Sequence, residues 1–166
     1  MDTTEQTVHD LAKKLGARLM MQGMKLATAE SCTGGWIAKV LTDIAGSSDW
    51  FDSAIVSYSN EAKKHFLKVP DGILIDHGAV SENTVLAMQQ GMFMETRADA
   101  GISVSGIAGP GGGSEEKPVG TVWIAVGLRN QMVHTQKFLF EGDRSLVRLQ
   151  AVEAALRSLL ELVERD

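Results

Sequence analysis

A three-layer α/β/α sandwich built on a five-stranded mixed β-sheet is the fold class that this sequence predicts. Short apolar runs alternate with amphipathic helical stretches, the pattern of a sheet covered by helices on both faces. Several runs end in Ser, Asn or Gly loops that pass straight into helical periodicity. Two longer strand-like runs flank Arg129-Asn130 as a hairpin, so the sheet cannot be wholly parallel.

The first element spans residues 4–22, with Val8, Leu11, Ala12, Leu15 and Leu19 on one face and Gly23 as its stop. A strand over 24–28 leads through Ser31 into a helix over 34–45, which carries Trp36, Ile37, Val40, Leu41 and Ile44 and ends at Gly46. Residues 53–58 form a second strand, and a short helix follows Asn60. Ser81 is the N-cap of a helix running to about Thr96, with Val80 placed to pack on Val85. Residues 102–105 make a buried strand, and 120–128 pairs with 132–140 in the hairpin. Asp143 caps a last helix whose core stripe is Leu146, Leu149, Val152, Leu156, Leu159 and Val163. Five strands and about five helices result.

With 166 residues, 44% of them hydrophobic and 22% charged, the chain suits one domain over 1–166. Its net charge of −5, with no Lys/Arg stripe, argues against a nucleic-acid partner. No apolar run approaches the ~20 residues that cross a bilayer, so no membrane partner is expected. The opening Asp2-Thr3-Thr4 lacks a signal sequence's basic and apolar regions, and Cys32 has no partner for a disulfide; a cytoplasmic setting is expected. His9, His65, His77 and His134 lie far apart, so neither a metal nor a cofactor is expected. Met88, Met92 and Met94 offer either the face of a homo-oligomer or a core stripe.

Ligands of such sheets bind beyond the carboxyl ends of the strands, where three loops gather. Glu30-Ser31-Cys32-Thr33, followed by Gly34 and Gly35, places a serine at a predicted helix start, as a cap or as a nucleophile facing waiting N–H donors. Tyr58-Ser59-Asn60-Glu61-Ala62-Lys63-Lys64 supplies a lysine, the remaining base where no histidine is near. Such a lysine must be neutral, which burial would achieve, whereas a solvated helix start would not. Tyr58 is either a hydrogen-bond partner or amphipathic packing. Ser105 to Ser114 is rich in glycine, which suits either an anion cradle or a flexible loop; it matches neither a Walker loop nor GxGxxG. Lys117, Arg144 and Arg148 could add positive charge for a phosphate, although an exposed helix face would equally explain Arg148.

The segments TAESCTGG, YSNEAK and SGIAGPGGGSEEKPVGTVW together resemble the CinA C-terminal domain family over nearly the whole chain. Its stand-alone members include nicotinamide-nucleotide amidohydrolases. The resemblance implies hydrolysis of the carboxamide of nicotinamide mononucleotide (NMN), giving nicotinate mononucleotide and ammonia. It puts Ser31, Lys63 and Tyr58 at the catalytic positions, and Gly142, Asp143 and Arg144 on the family's GDR segment. Combined with the loop chemistry, it implies a Ser31 nucleophile, a Lys63 base and an acyl-enzyme, with N–H groups near Thr33 and Gly34 holding the oxyanion. Glu30, Thr33, Gly34, Asn60, Gly106, Gly109, Gly111, Gly112 and Arg144 are the expected substrate-binding residues. Alternatives are an amidase for another carboxamide and an inactive relative serving as a nucleotide-binding or regulatory module. Cys32 is the rival nucleophile but has no histidine beside it.

Overall fold

The structure, a computed structural model, describes residues 2–165; the ends of the expected 1–166 domain, Met1 and Asp166, lie outside the described residues. Its strands are β1 (Leu26–Glu30), β2 (Phe51–Val56), β3 (Ala100–Gly106), β4 (Thr121–Leu128) and β5 (His134–Leu139). Its α-helices are α1 (Glu5–Met21), α2 (Trp36–Thr42), α3 (Asn60–Leu67), α4 (Asp71–His77), α5 (Glu82–Glu95) and α6 (Arg144–Arg165). The sheet order is β2-β1-β3-β4-β5. β1 runs parallel to both β2 and β3, while β3–β4 and β4–β5 are antiparallel, so the predicted mixed sheet and closing hairpin both form.

The pleat sorts side chains between two cores. Leu26, Ile102, Val104, Val122, Ile124 and Val126 face α1, α2 and α6, whereas Ala27, Ala29 and Ala125 face α4 and α5 and the end of α3. β1 is buried along its whole length, as expected of a central strand covered on both faces, while edge strand β2 alternates half-buried and exposed. Met88 and Met92 are fully buried in the α5 core and only Met94 is exposed, so these methionines are mainly packing.

The strands shift by about two residues from expectation, with β1 at Leu26–Glu30 and β2 at Phe51–Val56, and two differences matter more. α2 begins at Trp36 rather than 34, because Gly34 and Gly35 adopt φ of 59° and 95° and form a turn first. α4 was not expected: its apolar stretch is short, and only Leu74 is buried. The caps follow the sequence closely elsewhere, with Thr4, Ser59 and Ser81 accepting from Thr7, Ala62 and Thr84 N–H and Asp143 accepting from Leu146 N–H at 2.9 Å.

One helix contact matters for the site. Gly91 on α5 presses against the Leu67 carbonyl at the end of α3, and any Cβ at position 91 would fall inside that carbonyl group. Only glycine allows this approach. It seats α3, the helix that carries Lys63, directly on α5.

Candidate active site

Alternation along β1 puts Ala27 and Ala29 on the α3/α5 side of the sheet and Thr28 and Glu30 on the α2 side. Ser31, the next residue in phase with Ala29, meets Lys63 from α3, with Nζ 2.9 Å from Oγ. Parallel pairing of β1 with β2 continues as the Ser57 N–H donates to the Glu30 carbonyl at 2.9 Å, which aligns the two loops. Lys63 is only 1% exposed. Its Nζ also lies 3.1 Å from both the Ser57 and the Tyr58 carbonyl oxygens.

Two hydrogen-bond patterns fit this set of partners. A neutral amine donates to the two carbonyls and accepts from the Ser31 hydroxyl, whereas an ammonium donates to all three oxygens and leaves that hydroxyl to the Tyr58 carbonyl at 3.4 Å. No carboxylate forms an ion pair with Lys63 among the described residues. Burial pushes its pKa below the ordinary lysine value, with Cys32 opposing. Lys64 points the other way, paired with Glu61 at 2.6 Å and Asp71 at 3.2 Å, and these carboxylates raise its pKa. The two adjacent lysines are thus separated by burial: one is inside the site and the other is on the surface.

A cleft of about 200 Å³ opens over the pair, lined by Ser31, Cys32, Tyr58, Asn60, Lys63, Ala79, Val80, Ser105, Gly106, Ala108 and Arg144. The three predicted loops therefore share one rim. Ala79, Val80, Ser105 and Ala108 were not among the expected substrate-binding residues: Val80 was read only as part of a helix entry, Ser105 only as a strand end opening the glycine loop, Ala108 only as a member of that loop, and Ala79 was not assigned. Tyr58 contributes through its backbone: its carbonyl accepts from Lys63, while its hydroxyl meets Arg144 Nη2 at 3.0 Å. Arg144 Nη1 also donates to the Gly109 carbonyl at 2.7 Å, tying the glycine loop to Tyr58. Gly111 and Gly112 are exposed beyond that tie and do not line the cleft.

Glu30 is corrected from a substrate contact to an internal cap. It is fully buried and accepts four hydrogen bonds: Oε1 from Thr33 Oγ1 (2.7 Å) and Ile37 N–H (2.9 Å), Oε2 from Thr28 Oγ1 (3.1 Å) and Ala38 N–H (3.0 Å). The N-cap of α2 is Gly35, which has no side chain to offer, so a carboxylate from the preceding strand satisfies the first turn and its dipole. Ser31 is consequently not the cap of α2, and that helix's N-terminus is already occupied. Thr33 is fully buried on Glu30 and does not line the Ser31 cleft. The Gly34 N–H is spent on the Ser31 carbonyl at 3.0 Å, which rules it out as an oxyanion donor in this arrangement. Glu30→Gln should lower stability by about 3 kcal/mol, because an amide cannot accept from all four donors. Urea denaturation measures the loss.

Cys32 is the other group beside Ser31 and Lys63. It packs into the α1/α6 core, and burial pushes its thiol pKa up to about 12, so it stays protonated and a poor nucleophile. Arg148, which an exposed helix face could have explained, is instead turned inward, with Nε 3.0 Å from the Cys32 carbonyl and Nη2 3.1 Å from the Thr33 carbonyl. A larger cleft of about 710 Å³, lined in part by Glu5, His9, Trp36, Lys39 and Arg148, lies behind this loop; neither Ser31 nor Lys63 lines it. No group of three or more His, Cys, Asp or Glu side chains suited to a metal occurs among the described residues. No helix among them is long and apolar enough to cross a membrane.

Known proteins share both the sequence and the shape. The chain is 51% identical to the nicotinamide-nucleotide amidohydrolase PncC of Escherichia coli K12 over 156 residues, 94% of each chain. A crystal structure of a CinA superfamily protein from Klebsiella pneumoniae 700603 superposes with a TM-score of 0.92 at 40% identity, covering 96% of this chain and 99% of that one. A competence/damage inducible protein, CihA, from Agrobacterium tumefaciens gives a TM-score of 0.92 at 41% identity, covering 98% of both. The profile of the CinA C-terminal domain matches residues 8–163, a span that takes in all five strands and the whole Ser31–Lys63 rim. On sequence, fold and extent of match together, this chain belongs to the CinA C-terminal domain family.

Proposed function

We propose that this protein hydrolyses the carboxamide of NMN to nicotinate mononucleotide and ammonia through a Ser31 acyl-enzyme. The observation that carries the reading is the 2.9 Å contact between Ser31 Oγ and a buried Lys63 that has no ion-pair partner among the described residues. The amidohydrolase name of the Escherichia coli relative supports the substrate.

In this mechanism Lys63 Nζ takes the Ser31 proton as Oγ bonds to the carboxamide carbon, and the carbonyl π electrons move onto oxygen. The Cys32 N–H belongs to a residue that lines the cleft and carries no hydrogen bond to another residue among the described residues, so it replaces Gly34 as the oxyanion donor. Collapse breaks the C–N bond, and the proton held by Lys63 leaves with the amide nitrogen as ammonia. Water then attacks the ester, gives a proton through Lys63 back to Ser31 Oγ, and releases nicotinate mononucleotide. The pyridinium of NMN favours both steps: it draws electrons from the carboxamide, and its positive charge helps keep Lys63 neutral.

A cleft of about 200 Å³ is small for a whole nucleotide but suits a flat pyridine ring. The ribose phosphate extends toward Arg144, Asn60 and the loop of Gly106, Gly109, Gly111 and Gly112. Arg144 already holds two partners there, so phosphate binding shares or displaces the Tyr58 hydroxyl. Incubating the pure protein with NMN and following ammonia and nicotinate mononucleotide tests the proposal; binding heat without ammonia release would convert the site into a nucleotide-binding module. Free nicotinamide should turn over far more slowly than NMN if the phosphate contacts contribute. Cys32→Ala should keep activity within about threefold of wild type, because its buried thiol takes no step in the reaction. Loss of turnover in a correctly folded C32A would make Cys32 the nucleophile.

A further inference from the structure

We infer that Ser105 is a second oxyanion donor, its hydroxyl meeting the carboxamide oxygen from the flank of Ser31 opposite Lys63. The inference rests on the Ser31 reading above and deepens it by adding a catalytic residue to the same cleft.

Ser105 and Ser31 stand side by side at the carboxyl end of the parallel strands. Ala29 of β1 and Ser103 of β3 are register partners, and Ser31 and Ser105 each follow two residues later, so the pleat turns both toward the α5 side. The Ser31 N–H carries the pairing past the end of β1 by donating to the Val104 carbonyl at 3.0 Å. Ser103 shows the direction, since its hydroxyl donates to Gln89 Oε1 on α5 at 2.6 Å. Ser105 lines the cleft together with Ser31, Cys32 and Lys63 and is otherwise buried, at 2% exposed. Its hydroxyl makes no hydrogen bond to another residue among the described residues. Unlike Ser57 Oγ, it is not sealed in the interior, so it opens onto the cleft. A nearly buried hydroxyl without a partner carries a desolvation cost, which a substrate oxygen relieves.

The sheet order decides which substrate atom the hydroxyl meets. β1 lies between β2 and β3. Lys63 is held by the Ser57 and Tyr58 carbonyls just beyond β2, whereas Ser105 is on β3, so base and hydroxyl flank Ser31 from opposite sides. Lys63 must face the amide nitrogen, because that is the atom to which it passes the proton. A trigonal carbon holds its oxygen and nitrogen on different sides, so with nitrogen toward Lys63 the oxygen turns toward β3. Neighbouring strands lie about 4.8 Å apart, which leaves an oxygen on the carbon attacked by Ser31 within hydrogen-bond reach of Ser105 Oγ. The Ser105 hydroxyl keeps its proton throughout. It donates to the developing oxyanion in acylation and again in deacylation, beside the Cys32 N–H.

Ser105→Ala, assayed with NMN and with the methyl ester of nicotinate mononucleotide, tests this. With NMN, kcat should fall about 100-fold while KM moves by less than about threefold, because the bond tightens only as charge develops on the oxygen. The ester has the same acyl group and the same oxyanion but no amide nitrogen, so its kcat should fall by a similar factor. The melting temperature should stay within about 2 °C of wild type, since the hydroxyl holds no other residue in place. Ser105→Gly, which lacks the same hydroxyl, decides the matter if the alanine variant does not fold. Unchanged kcat in a folded variant, or a loss carried by KM, would overturn the assignment. A loss confined to the amide would place Ser105 on the departing nitrogen and overturn it as well. An active Ser31→Ala, or a wild type that releases no ammonia from NMN, would instead overturn the acyl-enzyme reading itself, a result that the Ser105 variants cannot imitate.

Discussion

Ser31→Ala should reduce NMN hydrolysis by at least about 10⁴-fold, equivalent to roughly 5.5 kcal/mol of transition-state stabilisation. Among the described residues the hydroxyl is the only side-chain oxygen hydrogen-bonded to Lys63 Nζ. Cys32 does not replace it, since its thiol is held protonated by burial. The fold should tolerate the change, because Ser31 Oγ caps no helix and its main-chain N–H keeps its bond to the Val104 carbonyl at 3.0 Å. Initial rates of ammonia release and a thermal melt measure the two halves of this expectation. A variant that retains more than about one per cent of wild-type turnover would remove serine from the mechanism.

Lys63→Met should cost about 10³- to 10⁴-fold in kcat while raising the melting temperature. Both effects come from one fact: a lysine has been buried without a carboxylate partner among the described residues, at the stability cost this carries. Its folded pKa lies below the unfolded value. Between those two values the unfolded chain holds a proton that the folded chain does not, so stability rises with pH through that window. Below the window the penalty is largest, and methionine removes it. The activity profile has the same origin, since kcat/KM should climb as pH rises through the lowered Lys63 pKa, and Lys63→Met should abolish that limb. Lys64→Ala should leave rates within about twofold, because its partners are surface carboxylates. Equal damage from both lysine variants would disprove the distinction that burial draws between them. Ser31→Ala/Lys63→Met should be hardly worse than Ser31→Ala alone, as expected of two groups that act as a unit.

The sequence was most legible where side chains alone decide the outcome. Ser81 and Asp143 cap the helices they were expected to cap, and the five strands lie close to where apolar runs predicted them. Ser31 and Lys63 could be paired because the two loops follow neighbouring strands. What escaped was carried by backbone. The carbonyls of Ser57 and Tyr58 that cradle Lys63 leave no mark in a sequence, and neither does the spending of the Gly34 N–H on a turn. Glu30 misled for a related reason. A carboxylate next to a nucleophile reads as a ligand group, and only the left-handed glycines that strip α2 of its own cap reveal why it is buried. Arg148 was obscured by distance, since its partners lie more than a hundred residues earlier in the chain.

The tight seating of Gly91 against Leu67 extends the catalytic requirement well beyond the cleft. Lys63 is one helical turn from Leu67 on α3, and its amine must stay within hydrogen-bond reach of a hydroxyl on the loop after β1. A side chain at 91 would wedge α3 away from α5 and carry the base with it. Selection for turnover therefore constrains a residue that no substrate touches, and the chemistry is guarded in part by the one amino acid that has no side chain.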